Sequence, residues 1–287
     1  MSGIELIFKE NAEIIDKHLK KYLSNGKSKL YEAMRYSVFA GGKRFRPILL
    51  VESAKACKGK LDYIYPAACA IEMIHVFTLI HDDLPAMDDS DLRRGKPTCH
   101  KVFGEEIAIL AGDALNTLAF DVLAKYLPSN KSAKIAAILS EASIKVVEGQ
   151  IMDLGAEGKE TSFARLKAIH MNKTSALIEA SVKIGAMLSG AGEEKIKLLA
   201  SYGRYLGLAF QIADDILDIV SSEKVLGKPA GADQKAKKST YPGILGLEKA
   251  KKEAKKQVGL AVSKLKGFGK NADKLKLIAE FAVGRIK

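Results

Sequence analysis

Cysteine is scarce in this chain: Cys57, Cys69 and Cys99 are the three among 287 residues, and none forms a CxxC pair. That excludes a disulfide framework and paired zinc motifs, and it predicts a reducing, cytoplasmic setting. Cys99-His100 has no second pair to complete a metal site, so it reads as two incidental residues after Pro97. No apolar run reaches the roughly 18 uninterrupted residues of a membrane span, so stable membrane insertion is not expected. The start, Met1-Ser2-Gly3-Ile4-Glu5, has no basic segment, apolar core or small-residue cleavage pattern, and no signal peptide is predicted. Alternating strand-like runs bounded by hairpin turns are missing, as are repeats and low-complexity linkers. Acids are also short, 34 Asp+Glu against 46 Lys+Arg, which leaves a net charge of +12. Much of the excess is lysine in the C-terminal third, such as Lys249, Lys252, Lys255 and Lys256, at helical spacing. Without aromatic interleaving, a zinc motif or a nucleic-acid module, this is a solvated helix face, and nucleic acid is not an expected partner. A basic field still draws anionic substrates toward the protein.

What is present is helical period. With 47% hydrophobic and 28% charged residues the composition is globular, and the core can be large. Ile15, Leu19 and Leu23 recur at i, i+4, i+8, and Tyr31, Met34 and Val38 share a face. Residues 66–81 are apolar nearly all round and predict a central helix. Further helices are predicted over 106–127, 132–152, 163–189, 194–220 and 241–265. The prolines and Gly41-Gly42, Gly190 and Gly227 fall at proposed helix starts, ends or connections. The expectation is one all-α domain spanning 1–287, a bundle of about ten or more helices.

Two aspartate-rich stretches end long apolar helices: Asp82-Asp83-Leu84-Pro85-Ala86-Met87-Asp88 and Asp214-Asp215-Ile216-Leu217-Asp218. Carboxylates at the end of a buried helix cost free energy unless compensated. In one continuous helix Asp82 and Asp88 would be about 600° apart and point to different faces. Pro85 opposes continuity, so the helix is predicted to break near Asp83 and the loop to return Asp88 beside Asp82. Asp214 and Asp218 are i, i+4 on one face, with Gln211 three residues earlier. Carboxylates with no histidine or cysteine among them favour Mg²⁺ over zinc. Two such clusters facing one cavity would hold hard cations and, through them, an anion such as a diphosphate. Cationic stretches flank the first cluster: Gly41-Gly42-Lys43-Arg44-Phe45-Arg46-Pro47 before it and Arg93-Arg94-Gly95-Lys96 after it. Arginine forks and lysine point charges match diphosphate oxygens, and these groups could hold a second diphosphate without metal.

From about residue 28 onward the chain resembles the trans-isoprenyl diphosphate synthases, the polyprenyl synthetase family. The matching stretches, in order, are GGKRFRP, HDDLPAMDDSDLRRGKPTCH, AGDALNTLAF, EGQIMDL, NKTSALIEA, FQIADDILD, LGKPAGADQ and KKSTYPGILGLEKA. Four residues between the Asp pair and the third acid look like the bacterial short-chain branch. The resemblance implies the isoprenoid synthase fold, helices around a central cavity, and a homodimer, for which helix 106–127 is a plausible interface. It implies that Asp82, Asp83, Asp88, Asp214, Asp215 and Asp218 bind three Mg²⁺, with Mn²⁺ as a substitute. Arg93, Lys173, Lys228 and Lys238 would contact the allylic diphosphate. Lys43, Arg46, His75 and Arg94 would hold isopentenyl diphosphate, and Thr174 and Gln211 would line the reacting centre. Phe45 stands where the family often has Leu, and Ala232 where it often has Lys; neither removes a group in these roles.

The implied chemistry is ionisation of an allylic diphosphate, addition of the isopentenyl double bond and loss of a proton, in a pocket that excludes water. Phe77, about 7.5 Å before Asp82 along the helix, could floor a product channel after fifteen carbons, with the smaller Thr78 beside it. By the family resemblance, an aromatic at this position implies farnesyl diphosphate as the product, with geranylgeranyl diphosphate the alternative, since related C20 enzymes also carry Phe at this place. Plain core packing explains Phe77 equally well. A terpene cyclase would lack the second aspartate pattern and GGKRFRP, and an inactive partner subunit would show eroded acids.

Overall fold

The computed structural model describes residues 3–24, 26–220 and 238–286. Their contacts gather into two compact units: the chain up to Ile48 with Asp62–Ala137, and Leu49–Leu61 with the chain from Ile138 onward. The fold is all-α. In order come α1 (Gly3–Leu23), α2 (Lys29–Val38), α3 (Phe45–Ala56), α4 (Ile64–Asp82), α5 (Cys99–Phe103), α6 (Glu105–Tyr126), α7 (Ser129–Leu154), α8 (Phe163–His170), α9 (Ala176–Leu188) and α10 (Glu193–Val220). After the undescribed stretch follow α11 (Tyr241–Leu245), α12 (Leu247–Ser263) and α13 (Asp273–Gly284).

In the first unit α4 is the centre. Its sequence is apolar on every side and its residues are buried from Ile64 to Ile80 with few exceptions, so neighbours cover it all round. α6 lies along it and buries Ala108, Ala111, Leu115 and Ala119, one face of a helix whose other face is exposed. α1 contributes Ile15, Leu19 and Leu23, all fully buried, as their spacing predicts. Both α4 and α6 are long and apolar enough to cross a membrane by length and composition. For α4, 72% of that apolar window is buried inside the protein, as befits a core helix.

In the second unit α10 packs against α9 and α12. Leu208, Ile212 and Ile216 of α10 join Leu166, Tyr241, Ala250 and Ala254 in one apolar cluster. Each fully buried branched side chain of this kind contributes roughly 1.5–3 kcal/mol relative to exposure.

Three local features depart from the predicted segments. The helix expected over 163–189 is interrupted by a π-helical turn, Met171–Ser175, between α8 and α9. The helix expected over 241–265 is split at Gly246, whose φ of +80° is costly for other residues. A two-stranded ribbon also occurs where no strand was expected: β1 (Leu92–Arg93) pairs antiparallel with β2 (Lys96–Pro97). Arg94 and Gly95 between them both have positive φ, +56° and +75°, the backbone of a type I′ hairpin. Two residues per strand are too few to leave an alternation signal in the sequence.

Candidate active site

In the first unit, α4 stops at Asp82 because Pro85 cannot continue it. The chain then turns back on itself: Asp88 N–H donates to Asp82 O at 2.9 Å, Asp89 N–H to Leu84 O at 3.1 Å, and Ser90 N–H to Asp83 O at 3.1 Å. Asp88 is thereby set beside Asp82 at the helix end, both partly exposed. Asp83 faces the other way. It is 3% exposed, and Arg93 grips its carboxylate, with Nε at 3.0 and 3.3 Å from the two oxygens and Nη2 also in contact. Burial pushes the Asp83 carboxyl up from its ordinary value, against the pull of Arg93. The β1–β2 hairpin supplies this arginine and, at the next residue, Arg94.

Arg94 Nη1 donates to Gly41 O, and its guanidinium fills the space a side chain at Gly42 would need. Arg46 Nη1 lies 3.3 Å from His75 Nε2. Arg46, His75 and Arg94, with Lys43 on the exposed loop, thus come together around one stretch of backbone. Arg44 holds that stretch in place. It is 3% exposed, donates to Asp16 (2.7 Å), Glu72 (2.9 Å) and Val38 O (2.7 Å), and has φ +50°. Such a backbone costs on the order of 1–3 kcal/mol, and the ion pairs hold it there. Phe77 is 8% exposed with its ring edge-on to His81, centroids 5.4 Å apart, and the Thr78 hydroxyl donates to His75 O.

The second unit carries the other acids on α10. Asp214 Oδ1 accepts from Arg285 Nη2 at 2.9 Å, and Asp215 and Asp218 are each 3% exposed. Lys173 and Thr174 sit in the π-helical turn. Backbone without side chains flanks that turn on both sides: a Cβ at Gly149 of α7 would meet Lys173 N at 2.3 Å, and one at Gly207 of α10 would meet Ser175 Cα at 2.6 Å. Lys173 Nζ pairs with Asp153 Oδ2 at 2.6 Å, and Lys238 Nζ lies 3.7 Å from the same oxygen and 3.4 Å from Glu157. Burial opposes ionisation of Asp153, but Lys173 and Lys238 hold its carboxyl below the ordinary value. Thr174 Oγ1 donates to Gln211 Oε1 at 2.7 Å. Lys228 lies outside the described residues.

Three residues without an assigned role belong to this constellation. Asp153 lies in EGQIMDL, where an acid at the end of an apolar helix was a readable signal. His170 and Tyr241 left none: their rings stack at 5.2 Å, His170 is 6% exposed, and burial pushes its pKa down to about 4. Among the described residues, no three His, Cys, Asp or Glu side chains stand close enough to hold a metal ion by themselves. Each acid cluster can instead offer one or two carboxylates, with cationic side chains alongside.

Comparison with known proteins places this geometry. Residues 27–281 match the model of the polyprenyl synthetase family. A geranylgeranyl diphosphate synthase of Cyanophora paradoxa is 45% identical over 96% of this chain and 94% of its own. A farnesyl diphosphate synthase of Geobacillus stearothermophilus is 41% identical over 99% and 98%. Among solved structures, an FPP/GFPP synthase from Zymomonas mobilis superposes with a TM-score of 0.87 at 36% identity, covering 98% of each chain. The geranylgeranyl pyrophosphate synthetase of Pyrococcus horikoshii gives 0.88 at 36%, over 99% and 100%. The chain therefore belongs to the polyprenyl synthetase family of prenyltransferases.

Proposed function

We propose that this protein condenses isopentenyl diphosphate with dimethylallyl and geranyl diphosphates to give farnesyl diphosphate, with Mg²⁺ as cofactor. The observation that carries the reading is the end of α4: a buried helix delivers Asp82, the loop returns Asp88 to it, and the following hairpin puts Arg93 and Arg94 in reach. The donor set suits Mg²⁺, which prefers oxygen ligands and is commonly held by one or two carboxylates, with water and substrate phosphate completing its shell. Asp82 and Asp88 in the first cluster, and separately Asp214 and Asp218 in the second, are the residues that would hold such ions. Bound there, Mg²⁺ would supply positive charge to neutralise the diphosphate leaving group.

The remaining roles belong to the chain's own side chains. Lys173 and Lys238 bind the allylic diphosphate, exchanging Asp153 for phosphate oxygens. Lys43, Arg46 and Arg94 hold isopentenyl diphosphate, with neutral His75 orienting Arg46 through Nε2. Thr174 and Gln211 flank the allylic carbon as its C–O bond breaks, and the apolar helices keep water from the cation. The proton lost after addition goes to the departing diphosphate. Phe77 supports a C15 limit. A C20 product is the second reading, favoured by the similarity to the Cyanophora paradoxa geranylgeranyl diphosphate synthase. A homodimer is proposed from exposed apolar residues on α6 and α7, and a cytoplasmic location from three free cysteines.

Incubation with isopentenyl diphosphate, dimethylallyl diphosphate and Mg²⁺, followed by chromatography of the dephosphorylated products, tests the reading. Farnesol is expected, geranylgeraniol selects the second reading, and a cyclic hydrocarbon or no product rejects both. Asp82→Ala and Asp214→Ala should each lower turnover at least about a hundredfold; near-wild-type rates would remove these acids from the mechanism.

A further inference from the structure

Asp215 is buried and accepts hydrogen bonds on both of its carboxylate oxygens. Its Oδ2 accepts the Tyr241 backbone N–H at 3.0 Å, and its Oδ1 accepts from Gln211 Nε2 at 3.2 Å. His170 Nε2 stands 3.6 Å from Oδ2, too far for a hydrogen bond, and its neutral ring packs on Tyr241. A carboxylate can only accept, so it fixes which end of the Gln211 amide faces it: the NH₂. The amide oxygen is then turned to Thr174, whose single hydroxyl proton it takes. Once that proton is spent, Thr174 offers lone pairs alone to anything else that meets it.

We propose that Asp215 is a positioning residue and not a metal ligand: through Gln211 it sets the Thr174 hydroxyl as an acceptor dipole toward the allylic carbon as positive charge develops there. This rests on the prenyl-transfer reading, in which Thr174 and Gln211 line the reacting centre. A hydroxyl whose proton is engaged stabilises a neighbouring cation, whereas one free to donate would turn toward diphosphate oxygen. Preorganised dipoles of this kind act without reorganisation at the moment of reaction.

The arrangement dictates an unusual double substitution. In Asp215→Asn, the Tyr241 N–H still requires an acceptor, so the new carbonyl must face it and the new NH₂ must face Gln211. Gln211 then flips, and its NH₂ donates to Thr174. The Tyr241 N–H bond keeps its direction while the two bonds made by Gln211 survive with theirs reversed, so the fold persists while the dipole inverts. Adding Gln211→Glu restores the original direction, because the Glu carboxylate accepts from both the Asn NH₂ and the Thr174 hydroxyl.

The experiment measures Mn²⁺ binding by electron paramagnetic resonance in the presence of inorganic pyrophosphate, together with kcat and KM. It uses the full chain, Asp215→Asn, the double variant, and Asp214→Asn as a ligand control. Expected results are retained Mn²⁺ binding in Asp215→Asn, a kcat lower by about a hundredfold with the allylic KM little changed, and recovery of about tenfold or more in the double variant. Loss of Mn²⁺ from Asp215→Asn as severe as in Asp214→Asn would make Asp215 a ligand and overturn the proposal. So would a double variant no faster than Asp215→Asn. Wild-type protein that binds no Mn²⁺ with pyrophosphate would overturn both this inference and the reading beneath it.

Discussion

His75 shows how one side chain takes its properties from its neighbours. Burial first, then the guanidinium groups of Arg46, Arg94, Arg93 and Arg44, push its pKa well below 6.5. With Nε2 facing an arginine donor, the ring proton sits on Nδ1 and the imidazole is neutral. In the unfolded chain the same histidine titrates near 6.5. Between the lower folded value and 6.5 the unfolded state therefore binds more protons, and stability falls as pH falls through that window. His170, with a folded value of about 4, adds a slope of the same sign. His75→Gln, which keeps an acceptor for Arg46 but cannot titrate, should lose less stability between pH 7 and pH 5 than the wild type. Urea midpoints at the two pH values measure this, and equal losses would show that His75 is not held neutral in the fold.

At the scale of elements, the end of α4 carries the first acids and, on the proposed reading, Phe77 as the floor of the product channel. Phe77 is buried beside His81, five residues before Asp82 on a helix of known rise, so on the proposed reading a growing tail passing it would meet a ring. Phe77→Ser should shift the products toward C20 and longer, read by chromatography, and an unchanged C15 profile would put the floor on another helix. This region was legible in the sequence. A sixteen-residue apolar run, a proline and a returning aspartate are local features, and local sterics alone place Asp88 by Asp82. The π-helical turn was not legible, because its cause lies elsewhere in the chain. Gly149 and Gly207 let two other helices press on Met171–Ser175, and neither glycine is distinctive within its own segment. The pairing of Lys173 and Lys238 on Asp153 and the hold of Asp215 on Tyr241 were hidden for the same reason: they join residues from 20 to 85 positions apart, which periodicity does not report.

At the scale of the whole molecule, excess positive charge and exposed apolar surface need separate explanations. On α12 two lysines pair with acids a turn away, Lys251 with Glu248 at 3.3 Å and Lys256 with Glu253 at 3.6 Å, and Lys249, Lys252 and Lys255 are exposed to solvent. That is a hydrated face, and its long-range effect is to raise the local concentration of anionic substrates, an effect that salt screens.

The apolar surface is different in kind, because water gains nothing by covering it. On α7, Ile144, Val147 and Ile151 are 57%, 46% and 65% exposed, and their i, i+3, i+7 spacing puts them on one stripe. On α6, Ile109 and Leu110 are 44% and 54% exposed. Single exposed leucines and isoleucines are ordinary, but a continuous stripe on a long helix is the kind of surface that the proposed second subunit would cover. A closed twofold pair covers the same patch on both copies with one set of residues, so one substitution acts twice at the interface. Ile151→Glu would bring two carboxylates into that apolar contact, each losing hydration with no cation opposite. Sedimentation velocity should then show a dimer for the wild type and a monomer for Ile151→Glu, while Lys252→Glu on the hydrated face of α12 leaves the dimer intact. A wild type that sediments as a monomer would mean that the α7 stripe serves something other than self-association.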